Sequence, residues 1–168
     1  MSPFIERIIG AAQLEVEVFK EVKADATATG QAMTVVLLSS LAEGIGALTL
    51  GGFRPLVKGA VIALIGWFVW AFIVYLIGTR LLPEPETGSD IAQLLRTTGF
   101  SAAPGMLRVL GLVPFLRVWI AIAVTIWMFL AMLIAVRQAL DYNSFERAVG
   151  VCLIGWVAHI VIMRMLGG

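Results

Sequence analysis

The stretch LLPEPETGSDIAQLLRTTGFSAAPGMLRVLGLVPF, residues 81–115, lies between apolar segments and decides how the chain folds. The segments on either side of it are long enough to cross a lipid bilayer. The stretch itself carries prolines, glycines and an arginine, which are costly in the hydrocarbon core unless protein surrounds them. We therefore expect a polar loop followed by an irregular helix that enters the membrane.

The composition indicates a protein that spans a membrane several times. Of its 168 residues, 60% are hydrophobic and 14% are charged, whereas a soluble domain is about half apolar and about a quarter charged. The net charge of +1 provides no field that would attract nucleic acid. Cys152 is the single cysteine and is expected to be a small packing residue in an apolar run.

The apolar runs predict an all-α bundle of five transmembrane helices with an amphipathic helix before it. An N-terminal unit of residues 1–30 holds the amphipathic helix and a linker, and residues 31–168 form the transmembrane domain. The spans are expected at 31–50, 57–82, 98–116, 118–136 and 148–166. Pro104, Gly105 and Pro114 predict a kink in the third span, and a re-entrant hairpin is the alternative.

The segment 3–23 has the apolar periodicity of one helical face. The residues of that face are Ile5, Ile8, Ile9, Ala12, Val16 and Phe19. Acidic side chains lie largely off this face. They outnumber basic ones over residues 1–30 by five to three, so the helix is not expected to be a basic anchor for anionic lipid. It is expected either to pack on its own bundle or to bind a partner.

The distribution of basic residues predicts the orientation. With five crossings and a cytoplasmic amino terminus, the inner side holds Arg7, Lys20, Lys23, Arg80, Arg96, Arg137 and Arg147. The outer side holds Arg54, Lys58, Arg117 and Arg164. The excess of positive charge on the inner side favours a cytoplasmic amino terminus and a carboxyl terminus outside.

Three polar side chains are expected near the middle of the membrane. Counted from the starts of their spans, Glu43 lies ~18 Å deep, Arg108 ~15 Å deep and His159 ~16 Å deep. A lone charge at this depth is costly and pairing reduces the cost, so these residues predict a midplane polar cluster. The cluster could fix the helix register, carry protons or ions, or contact a lipid head group or a cofactor.

His159 could also ligate a haem or chlorin if a cavity lies beside it. We expect a hydrogen-bonded packing histidine instead, and no cofactor or metal is predicted. The sequence carries no phosphate-binding glycine loop, HExxH motif or serine nucleophile elbow. No catalytic residue is assigned, and the protein is not expected to be an enzyme.

Small residues in the first span have the small-xxx-small spacing that lets helices approach closely. The pairs are Ser40 with Gly44, Ala42 with Gly46, and Ala47 with Gly51. They predict helix packing inside the bundle first and oligomerisation second.

Residues 64–111 and 126–142 resemble the bacterial branch of the YIP1 family. The similar elements are a Trp-rich second span, the loop with its prolines, and the motifs LLRTTGF (94–100), APG (103–105) and AVRQALDY (135–142). The resemblance implies five transmembrane helices with a cytoplasmic amino terminus, in the bacterial cytoplasmic membrane. Eukaryotic relatives bind Rab GTPases, but the long polar N-terminal extension typical of them is missing here, so Rab-type binding is not expected.

The predicted function is that of a non-catalytic scaffold or accessory subunit, which contacts other membrane proteins or a second copy of itself through its helices. Respiratory and photosynthetic complexes are examples of such assemblies. A transporter, channel or lipid-handling protein that uses the midplane cluster is the alternative. A haem- or chlorin-binding subunit that uses His159 is a further one.

Overall fold

The structure is a computed structural model, and it describes residues 2–47, 54–85 and 87–167. These residues form helices and connecting turns and contain no strand. The elements in chain order are α1 (Pro3–Ala12), α2 (Val16–Ala24), α3 (Ala28–Gly46), α4 (Arg54–Leu76) with a π-helical turn (Ile77–Leu81), α5 (Ile91–Phe100), a 3-10 helix (Ala103–Leu112), α6 (Arg117–Ala139) and α7 (Phe145–Gly167).

Three helices of the described part are long and apolar enough to cross a membrane, over Lys58–Leu81, Arg117–Ala139 and Phe145–Ile162. They coincide with the second, fourth and fifth predicted spans. The chain is therefore an all-helical integral membrane protein. The first predicted span corresponds to α3, and its last residues, 48–50, lie outside the described residues.

The amino-terminal segment is divided into two helices where one amphipathic helix over 3–23 was expected. Leu14 adopts a left-handed backbone with φ 65°, and the Glu15 N–H donates to the Gly10 carbonyl at 2.9 Å. A side chain at Gly10 would meet Val18, since an added Cβ would lie 2.5 Å from its Cγ2. The turn folds α2 back beside α1. Phe19 on α2 is thereby fully buried, so the hairpin packs on its own bundle.

The third predicted span is not one kinked helix. Helix α5 ends at Phe100, Ser101 and Ala102 form a turn, and the 3-10 helix follows. Pro104 lies in the first turn of the 3-10 helix, where a missing N–H costs no helical hydrogen bond. Pro114 comes after the end of the 3-10 helix, in the turn that leads to α6.

Two pairs of packed segments run in opposite directions. The Thr125 hydroxyl of α6 contacts Arg108, and Met132, seven residues later, contacts Ser101, so α6 runs antiparallel to the α5–3-10 segment. Helix α7 packs on α4, with Gly150 near Leu82 and Gly155 near Trp70. These two helices are therefore antiparallel as well.

Candidate functional site: an ion pair on the broken segment and the cavities beside it

We call α5 and the 3-10 helix together, residues 91–112, the broken segment. Its glycines lie in direct contact with α3. A Cβ added to Gly99 would lie 2.7 Å from the Cβ of Ala32, and one added to Gly105 would overlap Ser39 Oγ. At the end of α3, a Cβ added to Gly46 would overlap the backbone carbonyl oxygen of Arg108. The contacts advance along both segments together, so α3 and the broken segment are parallel and touch over nearly the whole of α3.

The residues that contact each other are spaced similarly along α3 and along the 3-10 helix. Gly105 and Gly111 lie six residues apart in the 3-10 helix, and two 3-10 turns of ~2.0 Å per residue advance ~12 Å. Contact residues on α3 recur every seven residues, and two α-helical turns advance ~10 Å. The two rises nearly match, so small residues stay opposite one another.

The ion pair lies at the end of these contacts. Arg108 Nη1 is 2.8 Å from Glu43 Oε2, and Arg108 Nη2 donates to Thr125 Oγ1 at 3.2 Å. The Arg108 side chain is 22% exposed and that of Glu43 is 62% exposed. Arg108 therefore ties α3, the 3-10 helix and α6 together, while the carboxylate stays open to its surroundings.

His159 does not join this pair. Its ring stands edge-on to Trp70, with the centroids 5.9 Å apart, and it lines a cavity with Met132. Arg108 instead bonds Thr125, seven residues from Met132 on α6, which corresponds to ~10 Å. Depth counting from the sequence missed this separation because it gave every span an α-helical rise and did not know which helices are neighbours.

The cavity beside His159 encloses about 220 Å³. Its walls are mostly apolar side chains, with Thr98 and Ser101 as polar exceptions. The Nδ1 atom of His159 is buried without a hydrogen-bond partner in the described structure. The volume is below the roughly 300–1,000 Å³ of ligand pockets, so the cavity offers little room for a haem or chlorin.

Two further cavities meet at Arg108 and Thr125. The smaller, about 230 Å³, is lined by Glu43, Arg108, Arg117 and the first turns of α6. The larger, about 550 Å³, lies between α6 and α7 and is walled mainly by apolar side chains, among them Phe129 and Trp156. Sequence reasoning missed Thr125 and Arg117 as members of this site. The position of Arg117 three residues after Pro114, at the start of a span, was the available signal.

The small residues of the first span divide between the interior and the surface. Ala42 and Gly46 are buried, Gly46 against the 3-10 helix, whereas Ser40, Gly44 and Ala47 are partly exposed. Gly51 lies outside the described residues. The buried pair serves packing within the chain, and the exposed residues leave room for a neighbour.

The motif at 94–100 holds the bundle together. Buried Arg96 donates to the Val22 and Lys23 carbonyls, at 3.1 and 2.7 Å respectively, which satisfies carbonyl groups at the end of α2 that have no partner within the helix. Thr98 Oγ1 accepts the Trp67 indole N–H at 3.2 Å. Phe100 is fully buried.

The motif at 135–142 joins helix ends on one side of the bundle. The Tyr142 hydroxyl lies 2.9 Å from the Gly78 carbonyl oxygen and 2.7 Å from that of Leu82, on the π-helical turn. Burial and the nearby Glu84 carboxylate raise the pKa of Tyr142 to about 12. Lys23 on α2 pairs with Asp141 at 2.6 Å, next to this tyrosine.

The fold and these contacts define a polytopic helical membrane protein whose third segment is broken and packed against its first long helix. Residues 15–166 match the family model of the Yip1 domain. The chain therefore belongs to the Yip1 family, as its sequence motifs indicated. No curated protein and no solved structure matches it significantly.

Proposed function

We propose that the chain crosses the membrane five times, with α3 and the α5–3-10 segment as the first and third crossings. The contacts from Gly99 to Gly46 support a full crossing, because the third segment follows α3 in one direction without turning back. A re-entrant hairpin would reverse halfway along α3. With five crossings, the excess of basic residues on one side supports a cytoplasmic amino terminus and a carboxyl terminus outside.

We propose further that the protein is a non-catalytic scaffold or accessory subunit, which binds other membrane proteins or a second copy of itself. The proposal rests on what the polar residues of two family motifs, at 94–100 and 135–142, contact in the structure. Arg96 and Tyr142 are both bonded to backbone carbonyls of other helices. The polar groups of these two side chains are therefore used to hold helices of the chain together, which favours a structural role for the motifs.

The transport alternative has less support from the geometry. A shared midplane cluster would have provided a polar site for a substrate or proton, but Arg108 and His159 line separate cavities. The cavities beside His159 and between α6 and α7 have mainly apolar walls. Such surfaces suit packing or lipid contact better than the passage of ions.

Site-specific photocrosslinking in native membranes tests the scaffold role. Val157 is 60% exposed on α7, whereas Val151 on the same helix is fully buried. A crosslinker at position 157 is expected to capture a stoichiometric partner or a second copy, and one at 151 should give only crosslinks within the chain. Recovery of a monomer from both positions, together with ion flux in liposomes, would contradict the proposal.

A further inference from the structure

We propose that the Arg108–Arg117 region binds an anionic phospholipid, with the head-group phosphate between the arginines and an acyl chain in the cavity between α6 and α7. This inference is independent of the scaffold role. It follows from the charge of the smaller cavity, the apolar walls of the larger one, and their junction at Arg108 and Thr125.

The smaller cavity has an excess of positive charge. Two guanidinium groups line it, from Arg108 and Arg117, against the single carboxylate of Glu43. Glu43 is already paired with Arg108, and the Arg117 side chain has no hydrogen bond or ion pair to any residue in the described part of the chain. A group carrying one negative charge would therefore balance the site. Arginine donates two parallel hydrogen bonds to phosphate oxygens, which favours a phosphodiester.

The position of the arginines suits a lipid head group. Arg117 is the first residue of α6, where a span meets the polar face of the membrane and the helix amino terminus favours an anion. Arg108 contacts Thr125, eight residues further along α6, or ~12 Å deeper. A phosphate between the two would lie just below the start of the span, where the long arginine side chains can reach it.

The larger cavity suits an acyl chain. Its volume of about 550 Å³ lies within the roughly 300–1,000 Å³ of small-molecule pockets. Its walls include Trp70, Phe129 and Trp156, and its polar side chains are mainly those shared with the smaller cavity. An amphiphile whose head lies at the arginines can therefore place its chain against aromatic and aliphatic surface.

A phospholipid whose head group is negative overall is preferred on charge grounds. Phosphatidylglycerol carries a phosphodiester and no amine, so its charge matches the excess of one guanidinium. Phosphatidylcholine has the same phosphodiester but adds a quaternary ammonium. The site is therefore expected to bind phosphatidylglycerol about tenfold more tightly than phosphatidylcholine with identical acyl chains.

Native mass spectrometry of the full chain in mild detergent, titrated with each of these lipids, tests the proposal. The wild type should retain one phosphatidylglycerol, and Arg117→Gln should weaken its binding about tenfold. Arg164→Gln removes the same charge near the end of α7, away from the cavities, and should bind like the wild type. Equal retention by Arg117→Gln and the wild type, or equal binding of the two lipids, would overturn the proposal.

The acyl-chain site has its own pair of variants. Leu153→Trp should fill the larger cavity from α7 and reduce lipid retention, because Leu153 lines that cavity and is half-exposed. Val161→Trp is the matched control, since Val161 is equally exposed on α7 and does not line the cavity. Glycerol phosphate should not displace the lipid. Displacement by this chain-free compound, or identical retention by the two tryptophan variants, would rule out a lipid site.

Discussion

Replacement of Gly46 by alanine tests the close contact between α3 and the 3-10 helix. The added Cβ would overlap the backbone carbonyl oxygen of Arg108, which cannot rotate away as a side chain can. Adding a methyl group to a well-packed interior costs about 1–3 kcal/mol. Gly30→Ala makes the same change in the same helix where no atom lies within 4 Å, and should stabilise by up to about 1 kcal/mol through helix propensity.

The two variants are therefore expected to shift stability in opposite directions, by about 1–4 kcal/mol relative to one another. Thermal unfolding in one detergent, followed by tryptophan fluorescence, measures this difference. For a chain of this size each kcal/mol corresponds to about 2–4 °C. Gly46→Ala should thus melt several degrees lower and Gly30→Ala slightly higher than the wild type. Equal melting temperatures for the two variants would refute the proposed packing.

Three further predictions concern contacts elsewhere in the bundle. Gly105→Ala should destabilise the protein by about 1–3 kcal/mol, because the added Cβ would overlap Ser39 Oγ. In a double-mutant cycle, adding Ser39→Ala should restore part of this loss. Additive losses for the two substitutions would contradict the contact. Tyr142→Phe removes the hydroxyl that contacts the Gly78 and Leu82 carbonyl oxygens. The free energy of unfolding, measured with denaturant, should fall by about 1–3 kcal/mol. An unchanged denaturation midpoint would contradict this hydrogen bond. The pKa of Tyr142 in the folded state is raised from 10.0 to about 12. Its contribution to the free energy of unfolding should therefore be present below pH 10 and be lost as the pH rises toward 12. Hydrogen bonds from Thr27 and Arg7 lower the pKa of Asp25 from 3.8 to about 2, so Asp25 stabilises the protein above pH 3.8 and this contribution is lost toward pH 2. Between pH 3.8 and about pH 2, the stability of Asp25→Asn should therefore fall less with pH than that of the wild type. Identical acid unfolding curves for the two proteins would show that the carboxylate contributes nothing to stability.

The long apolar helices could be predicted from the sequence because nothing interrupts them. Helices α4, α6 and α7 occur where hydropathy placed the second, fourth and fifth spans. The break between α5 and the 3-10 helix was only partly predictable. Pro104 indicated an irregularity, but its form depends on contact with Ser39 and Gly46, which lie on another helix. The turn at Leu14 was missed because apolar periodicity continues across it.

For the site, the sequence could indicate which polar residues need partners but not which partners they find. The cost of an unpaired charge in the membrane suggested that Glu43 and Arg108 are close, and they contact each other. The same reasoning grouped His159 with them, although its position beside Trp70 depends on which helices α7 meets. Gly105 and Gly111 were a usable signal for the 3-10 helix, since residues six apart share a face of a 3-10 helix but not of an α-helix.

The topology of the loops around the broken segment tests the central claim, that residues 91–116 cross the membrane alongside α3. In a chain with Cys152 replaced by alanine, single cysteines at the partly exposed Ser89 and the exposed Phe115 can be labelled in oriented membranes with an impermeant maleimide. If the segment crosses the membrane, Phe115→Cys should be labelled only from outside and Ser89→Cys only from the cytoplasmic side. Labelling of both from the same side would mean that the segment is re-entrant and would contradict the five-crossing arrangement.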